Sequence, residues 1–139
     1  GLVHRLPKVN HPVYYGGPIL TNVVGVLHST DFILTSTNTL TEDKVGFTLD
    51  RKMLEVIARG QGPKNMLITL GMANWTTGQL EEELEHPRNP AMSWLIMDYD
   101  EKFVFGQLDE DKPDDLWESC VSQAIRNKTQ EITSKIFKD

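Results

Sequence analysis

The sequence has a single cysteine and no long apolar run. Cys120 has no partner for an internal disulfide, which is typical of proteins from a reducing compartment. No apolar run approaches the ~20 residues of a membrane-spanning helix. Residues 1–15 lack the apolar stretch of a signal peptide. We therefore expect a cytoplasmic protein that does not enter a membrane.

Basic residues are also scarce. The 20 acidic and 14 basic residues give a formal net charge of −6, and no basic cluster stands out. Proteins draw most of their affinity for nucleic acid from Lys and Arg on phosphates. Direct DNA binding is therefore disfavoured as a function, and it would reveal itself as salt-sensitive binding.

Patterns of residues that carry chemistry are missing too. The histidines and the cysteine lack the spacing of a zinc site, and no phosphate-binding or dinucleotide-binding loop is present. The stretch "HSTD" holds three residue types of a hydrolase triad. Neighbours in a strand point to opposite faces, however, so His28 and Ser29 do not suit a nucleophile–base pair. We predict no catalytic residue, no metal and no cofactor.

Signals for strands and helices alternate along the chain. They predict an α+β fold with a mixed, largely antiparallel sheet and about three helices. Asp50 is the predicted N-cap of the first helix, and Gly60 follows its end. The apolar stretch 64–72 is predicted as a central strand. The other predicted strands cover residues 11–19, 22–29 and 91–99, and short strands fall within 29–49.

A long C-terminal helix is predicted to begin at Pro113. Its basic residues fall toward the C-terminal end, which suits the helix dipole. Apolar positions thin out past Asn127, so we expect a domain over 1–127 and a frayed or partner-bound helix end over 128–139. The apolar positions are Trp117, Val121, Ala124, Ile125, Ile132 and Ile136.

Several short motifs occur in an order that resembles the bacterial AlgH/YqgE family. They are "VYYGGP", "GVLH", "ARGQGP", "LGMANWTTGQLEEEL", "MSWL" and a late "LW" helix, and they extend from Val13 to Ile125. Met72, Asn74 and Met92 depart from the usual Tyr, Gly and Asn. The resemblance implies a compact α+β fold, a cytoplasmic location and no established enzyme activity. Some members carry a transcriptional-regulator label.

The resemblance also implies a shortened N-terminus, because members usually carry an additional strand pair there. Loss of a strand pair would leave an open sheet edge, and such edges recruit other strands. We therefore expect self-association or another protein at this edge. The alternative is that a loop or residues 1–9 cover it.

The stretch "GMANWTTGQLEEELEH" (71–86) is the strongest local motif. Thr76 and Gln79 fit a capping box. Capping does not explain Trp75. We interpret this residue either as a hydrophobic staple or as the wall of a pocket. The following glutamates would repel an anion.

The leading hypothesis is a non-enzymatic protein-interaction or regulatory module. The alternative is a pocket for a nucleotide or metabolite, with weak hydrolytic activity. Residues 14–18 are interpreted as a tight turn or as a ligand cradle. The proposed ligand or partner surface comprises Tyr15, Gly16, Gly17, His28, Trp75, Gln79, Glu83 and Trp94.

Overall fold

Six strands and four helices are present in the computed structural model, which describes residues 2–5, 10–88, 93–106 and 113–138. The chain divides into two units, residues 1–74 and residues 75–139. The first unit contains β1 (Leu2–Arg5), β2 (Pro12–Tyr15), β3 (Ile19–Ser29), β4 (Asn38–Leu40), β5 (Val45–Thr48), α1 (Arg51–Ala58) and β6 (Met66–Met72). The second contains α2 (Gln79–Glu85), α3 (Glu101–Phe105) and α4 (Pro113–Ile136).

The six strands form one sheet with the order β1-β2-β6-β3-β5-β4. The pair β2–β6 is parallel, and the other pairs are antiparallel. This confirms the predicted mixed, largely antiparallel sheet in an α+β fold. The apolar stretch 64–72 supplies β6, which is hydrogen-bonded on both sides and is therefore central, as predicted.

The chain crosses the end of β6 as it passes from β2 to β3. Because β6 lies between these two strands, the connection cannot be a hairpin. A Cβ atom on Gly17 would lie 2.2 Å from the carbonyl carbon of Met72, and one on Gly71 would lie 2.3 Å from the carbonyl oxygen of Gly17. Gly16 and Gly17 therefore allow a close backbone crossing, where the sequence had indicated a tight turn or a ligand cradle.

The core of the first unit lies between α1 and one face of the sheet. Met53 and Ile57 of α1 are buried against Val13, Val26 and Ile68 of three neighbouring strands. Met53 and Ile57 are four positions apart, so they lie on one face of α1.

Both predicted ends of α1 are confirmed. The Asp50 side chain accepts a hydrogen bond from the Lys52 N–H at 2.9 Å, as an N-cap does. Gly60 follows the C-cap Arg59 with φ 71°, the left-handed conformation typical of a residue just past a helix end.

The second unit contains no strand among its described residues. The strand predicted over 91–99 is therefore wrong for residues 93–99, and residues 91 and 92 lie outside the described part. Leu95 and Ile96 are 54% and 72% exposed. A strand needs a hydrogen-bonding neighbour, and no described strand pairs with this segment.

The helices of the second unit differ in how well the sequence predicts them. α4 begins at Pro113 as predicted and continues without a break to Ile136. The division between 1–127 and 128–139 stays a prediction. The short α3, capped by Asp100, was not predicted. Among the described helices, none has both the length and the apolar character needed to cross a bilayer.

Candidate functional site

Two of the predicted site residues form an aromatic pair in the second unit. The ring centroids of Trp75 and Trp94 lie 5.8 Å apart, and the ring planes are inclined by 65°, an edge-to-face arrangement. Trp94 remains 48% exposed, and Trp75 is half-buried. Trp75 therefore contacts a second indole, and its role as a hydrophobic staple or as a pocket wall stays a prediction.

A hydrogen bond joins Trp94 to α2. Its indole Nε1 donates to Oε2 of Glu83 at 3.2 Å. The indole N–H is a donor only, so it needs an acceptor, and the Glu83 carboxylate is a strong one. Glu83 thus fixes the orientation of the indole, and the exposed part of Trp94 is presented beside α2.

Trp94 and one face of α2 enclose an open cleft of about 660 Å³. The α2 positions recur at intervals of three and four residues, so they share one side of the helix. The lining residues are Gln79, Glu82, Glu83, His86, Pro87, Arg88 and Trp94. Of the eight predicted site residues, the structure brings Gln79, Glu83 and Trp94 to this cleft, with Trp75 behind Trp94.

The predicted capping box is present only in part. The Gln79 side chain reaches back and accepts from the Thr76 N–H at 3.0 Å, as a capping box requires. The Thr76 hydroxyl, however, donates to the same Gln79 oxygen, and the Gln79 N–H donates to the Thr76 carbonyl. The N-cap is Gly78, in the left-handed conformation with φ 80°. Helix α2 therefore begins two residues later than a complete capping box would place it.

The charge around the cleft is predominantly negative. α2 carries Glu81, Glu82, Glu83 and Glu85, and Lys and Arg are absent from its seven residues. Arg88, which follows the helix at the rim of the cleft, moderates this charge. His86 Nδ1 lies 4.0 Å from Glu82 Oε1.

The remaining predicted residues belong to the first unit. Tyr15 is exposed at the end of β2, and it precedes the glycines of the backbone crossing. His28 is fully buried, with 0% exposure, so it offers no surface to a partner.

The His28 ring is part of a buried hydrogen-bond chain whose polarity can be derived. Nδ1 lies 2.8 Å from the Ser29 carbonyl oxygen, which only accepts, so Nδ1 carries the proton. In the neutral ring Nε2 then accepts from Thr48 Oγ1 at 2.9 Å. Thr37 Oγ1 donates in turn to Thr48 Oγ1 at 2.8 Å, and it accepts from the Leu34 N–H. Every polar group in this chain is satisfied, which makes it a structural network.

Ser29 points away from His28, as strand geometry predicts. Its hydroxyl donates to Asp31 Oδ1 at 2.5 Å. This bond, with the backbone N–H of Lys64, holds the pKa of the Asp31 carboxyl below its ordinary value. Neither ring nitrogen of His28 contacts the Ser29 hydroxyl. The stretch "HSTD" therefore lacks the geometry of a hydrolase triad.

Sequence reasoning missed four residues that line the cleft, Glu82, His86, Pro87 and Arg88. The helical spacing of Gln79, Glu82, Glu83 and His86 was a usable signal, because these four residues lie on one side of α2. Arg88 follows the helix and has no such periodic signal. In the described ranges, no group of three His, Cys, Asp or Glu residues is placed to hold a metal ion.

Comparison with known proteins adds a family to this geometry. The family model described as DUF179, AlgH-like, matches residues 1–128. A UPF0301 protein of Bradyrhizobium sp. strain BTAi1 is 40% identical over 102 residues, which cover 73% of this chain and 45% of the relative. A UPF0301 protein of Rickettsia akari is 38% identical over 112 residues, covering 79% of this chain and 53% of the relative.

The fold is also similar to that of a solved structure. The solution structure of the AlgH protein from Pseudomonas aeruginosa aligns with a TM-score of 0.65 at 29% identity. The alignment covers 87% of this chain and 59% of that protein. The chain spans about half the length of the curated relatives it matches. On the extent of the family match and of these identities, the chain belongs to the AlgH-like family.

Proposed function

We propose that this AlgH-like chain is a protein-interaction module, and that the cleft beside α2 binds a basic segment of a partner protein. The observation that supports the proposal most is the contact of Trp94 with Glu83. It presents an exposed indole next to a row of carboxylates. Trp, Tyr and Arg are the residues that most often dominate binding at protein interfaces, and a carboxylate is a strong hydrogen-bonding partner for Arg.

The chemistry of the cleft favours a cationic side chain. A guanidinium or ammonium group can lie over the indole face of Trp94. Glu82, which precedes Glu83 on α2 and also lines the cleft, is exposed, and its carboxylate can pair with the same cation. Arg88, at the rim, would repel a second cation, so the cleft suits one Arg or Lys side chain flanked by neutral residues.

The experiment is a calorimetric titration of the full chain with a short peptide that carries one central arginine. We expect weak binding that falls as salt is raised, because the contact is electrostatic and exposed. Trp94→Ala and a Glu82→Gln, Glu83→Gln double variant should each abolish measurable binding. Trp117→Ala, which removes an exposed indole on α4, is the matched control and should bind like wild type. Binding that survives the cleft variants would refute the proposal.

The volume of the cleft supports a second candidate, a small-ligand site. About 660 Å³ lies within the range of small-molecule pockets, ~300–1,000 Å³. A thermal-shift screen with nucleotides and metabolites separates the two candidates. Stabilisation by one compound, lost in Trp75→Ala while the fold survives, would favour the small ligand over the peptide.

Strand addition at the sheet edge remains a second proposed route to a partner. β1 lies outside β2, so part of the N-terminal nine residues occupies the edge that β2 would otherwise expose. The described sheet then ends at β1 on one side and at β4 on the other. β4 is three residues long and wholly exposed. A peptide that pairs there would protect the amides of β4 from hydrogen exchange, and unchanged exchange would count against this route.

A further inference from the structure

The long helix α4 exposes apolar side chains along one face. Along its 24 residues the apolar positions follow one another at helical steps of four, with Thr129 in the middle of the row and one step of three after it. Trp117 at one end is 67% exposed, and Ile136 at the other is 68% exposed. The row consists of Trp117, Val121, Ile125, Thr129, Ile132 and Ile136.

Part of α4 is covered within the second unit, next to the apolar row. Ala124 is 5% exposed, whereas the adjacent Ile125 is 57% exposed. Segment 94–98 and α4 line a shared cavity, and its lining includes Ala124 together with Ile125 and Thr129 from the middle of the row. Ile125 keeps most of its exposure there, and an exposed apolar row on a helix is typical of an interface with another molecule.

Charge is unevenly distributed along the same helix. Residues 113–125 contain three acidic residues and no basic one, namely Asp114, Asp115 and Glu118. Residues 126–138 contain four basic residues and one acidic residue. The only acidic residue of this half, Glu131, is already paired with Lys128 and Lys135. Each end of α4 therefore carries the charge that complements the other end.

We propose that two copies of this chain associate through antiparallel α4 helices. In that orientation the acidic end of each helix lies beside the basic end of its partner. A parallel pair would place like charges together at both ends, which is unfavourable. Helices that run antiparallel also place opposite ends of their dipoles side by side.

The members of the apolar row are spaced symmetrically about a point near residue 127. A two-fold axis through that point requires such a self-matching row. With the axis at that point, Trp117 of one copy lies opposite Ile136 of the other. Val121 lies opposite Ile132, and Ile125 lies opposite Thr129. The same face of α4 thus matches itself from Trp117 to Ile136, a length of about 30 Å.

The oligomeric state of the full chain tests this proposal. Sedimentation between about 1 and 100 μM, where modest interfaces associate, should reveal a monomer–dimer equilibrium. Ile125→Glu places two carboxylates at the centre of the interface, one from each copy. It should therefore raise the dissociation constant of the dimer about tenfold or more. Gln130→Glu adds the same charge on the far side of α4 and should leave the equilibrium unchanged. A monomer throughout this range, or a dimer that Ile125→Glu leaves intact, overturns the proposal.

Cysteine cross-linking tests the orientation separately. In a Cys120→Ser background, Val121→Cys and Ile132→Cys chains are mixed and oxidised. Antiparallel helices predict a mixed disulfide between the two chains and little cross-linking of either chain alone. Equally efficient cross-linking of each chain with itself would indicate parallel helices and overturn the antiparallel arrangement.

Discussion

The indole Nε1 of Trp94 donates to Glu83 Oε2 at 3.2 Å, a bond that joins the segment after the acidic helix back to that helix. Trp75 packs edge-to-face on the same indole. One carboxylate therefore determines how an exposed aromatic surface is presented. Trp75 and Glu83 both belong to the motif at residues 71–86, which also contains the start of α2. This motif therefore forms part of the aromatic surface as well as a helix.

Removing the Glu83 acceptor should alter the environment of Trp94 while the fold remains. Because the bond is exposed, Glu83→Ala should cost less than about 1 kcal/mol of unfolding free energy. In ¹H–¹⁵N spectra the Trp94 indole resonance, assigned with Trp94→Phe, should move upfield. The resonance of Trp117, outside this contact, should stay in place. An unmoved Trp94 resonance would contradict the bond.

The buried chain through His28 predicts a specific tautomer and a large mutational cost. Nitrogen chemical shifts should report a ring protonated at Nδ1, since Nδ1 faces a carbonyl oxygen. Thr48→Val removes the donor to Nε2 and interrupts the contact with Thr37, so it should cost about 1–3 kcal/mol. Thr35→Val, at an exposed turn, should change stability by less than about 0.5 kcal/mol. A ring protonated at Nε2 alone would refute the derived polarity.

Alanine at the backbone crossing should be far more damaging than at another left-handed glycine. Gly71→Ala meets the Gly17 carbonyl oxygen at 2.3 Å and also strains a φ of 74°. We expect a loss of about 3 kcal/mol or more in urea denaturation, from steric overlap and strain together. Gly60→Ala has a similar φ of 71° but open space around it, so it should cost only about 1 kcal/mol. Equal losses at the two positions would contradict the steric account.

A glycine substitution in the turn between β4 and β5 should stabilise the folded protein. Thr41, Glu42 and Asp43 all have φ between 54° and 64°, which is unfavourable for residues with a Cβ atom. Glu42→Gly should therefore raise the unfolding free energy by about 0.5–1 kcal/mol, because the lost ion pair with Lys44 is exposed. The same change at Glu55, inside α1, should lower it by about 1 kcal/mol. A loss at Glu42 would show that these residues are not strained in solution.

The N-cap of α1 predicts a dependence of stability on pH. The Lys52 N–H and the Ser36 hydroxyl hold the pKa of Asp50 below its ordinary value of 3.8. A carboxyl with a lowered pKa in the folded state contributes stability above the unfolded pKa and loses it as pH falls through the folded pKa. Asp50→Asn keeps a capping oxygen but cannot ionise, so its stability should decline less on acidification below about pH 5. Asp98→Asn, outside any helix cap, should follow the wild-type curve, whereas coincident curves for wild type and Asp50→Asn would contradict the prediction.

How far the sequence predicted this fold depends on how local each signal is. The ends of α1 follow from Asp50 and Gly60, whose capping geometry involves only residues a few positions away. β6 follows from an apolar run between Pro63 and Gly71. The strand predicted over 91–99 has an equally apolar run. It fails over 93–99 because a strand also depends on a hydrogen-bonding partner, which the run itself does not specify.

The sequence predicted several residues of the candidate site but not the contacts between them. Trp75, Gln79, Glu83 and Trp94 were all named from motifs, but the aromatic contact joins residues nineteen positions apart, and no periodicity relates them. His28 was predicted to lie on a strand over 22–29, as it does in β3, but it is buried and not part of a surface. Its partner Thr48 lies twenty residues along the chain on another strand, and the strand register that brings them together follows from tertiary structure.

A chemical-shift titration of the ¹⁵N-labelled chain with the single-arginine peptide would locate the interaction surface. The largest changes should fall on the Trp94 indole and on the amides of α2, and Glu83→Gln should weaken them. The Trp117 indole should remain unperturbed. Perturbations centred away from α2, or none at peptide excess, would contradict the claim that this aromatic and acidic cleft is the interaction surface.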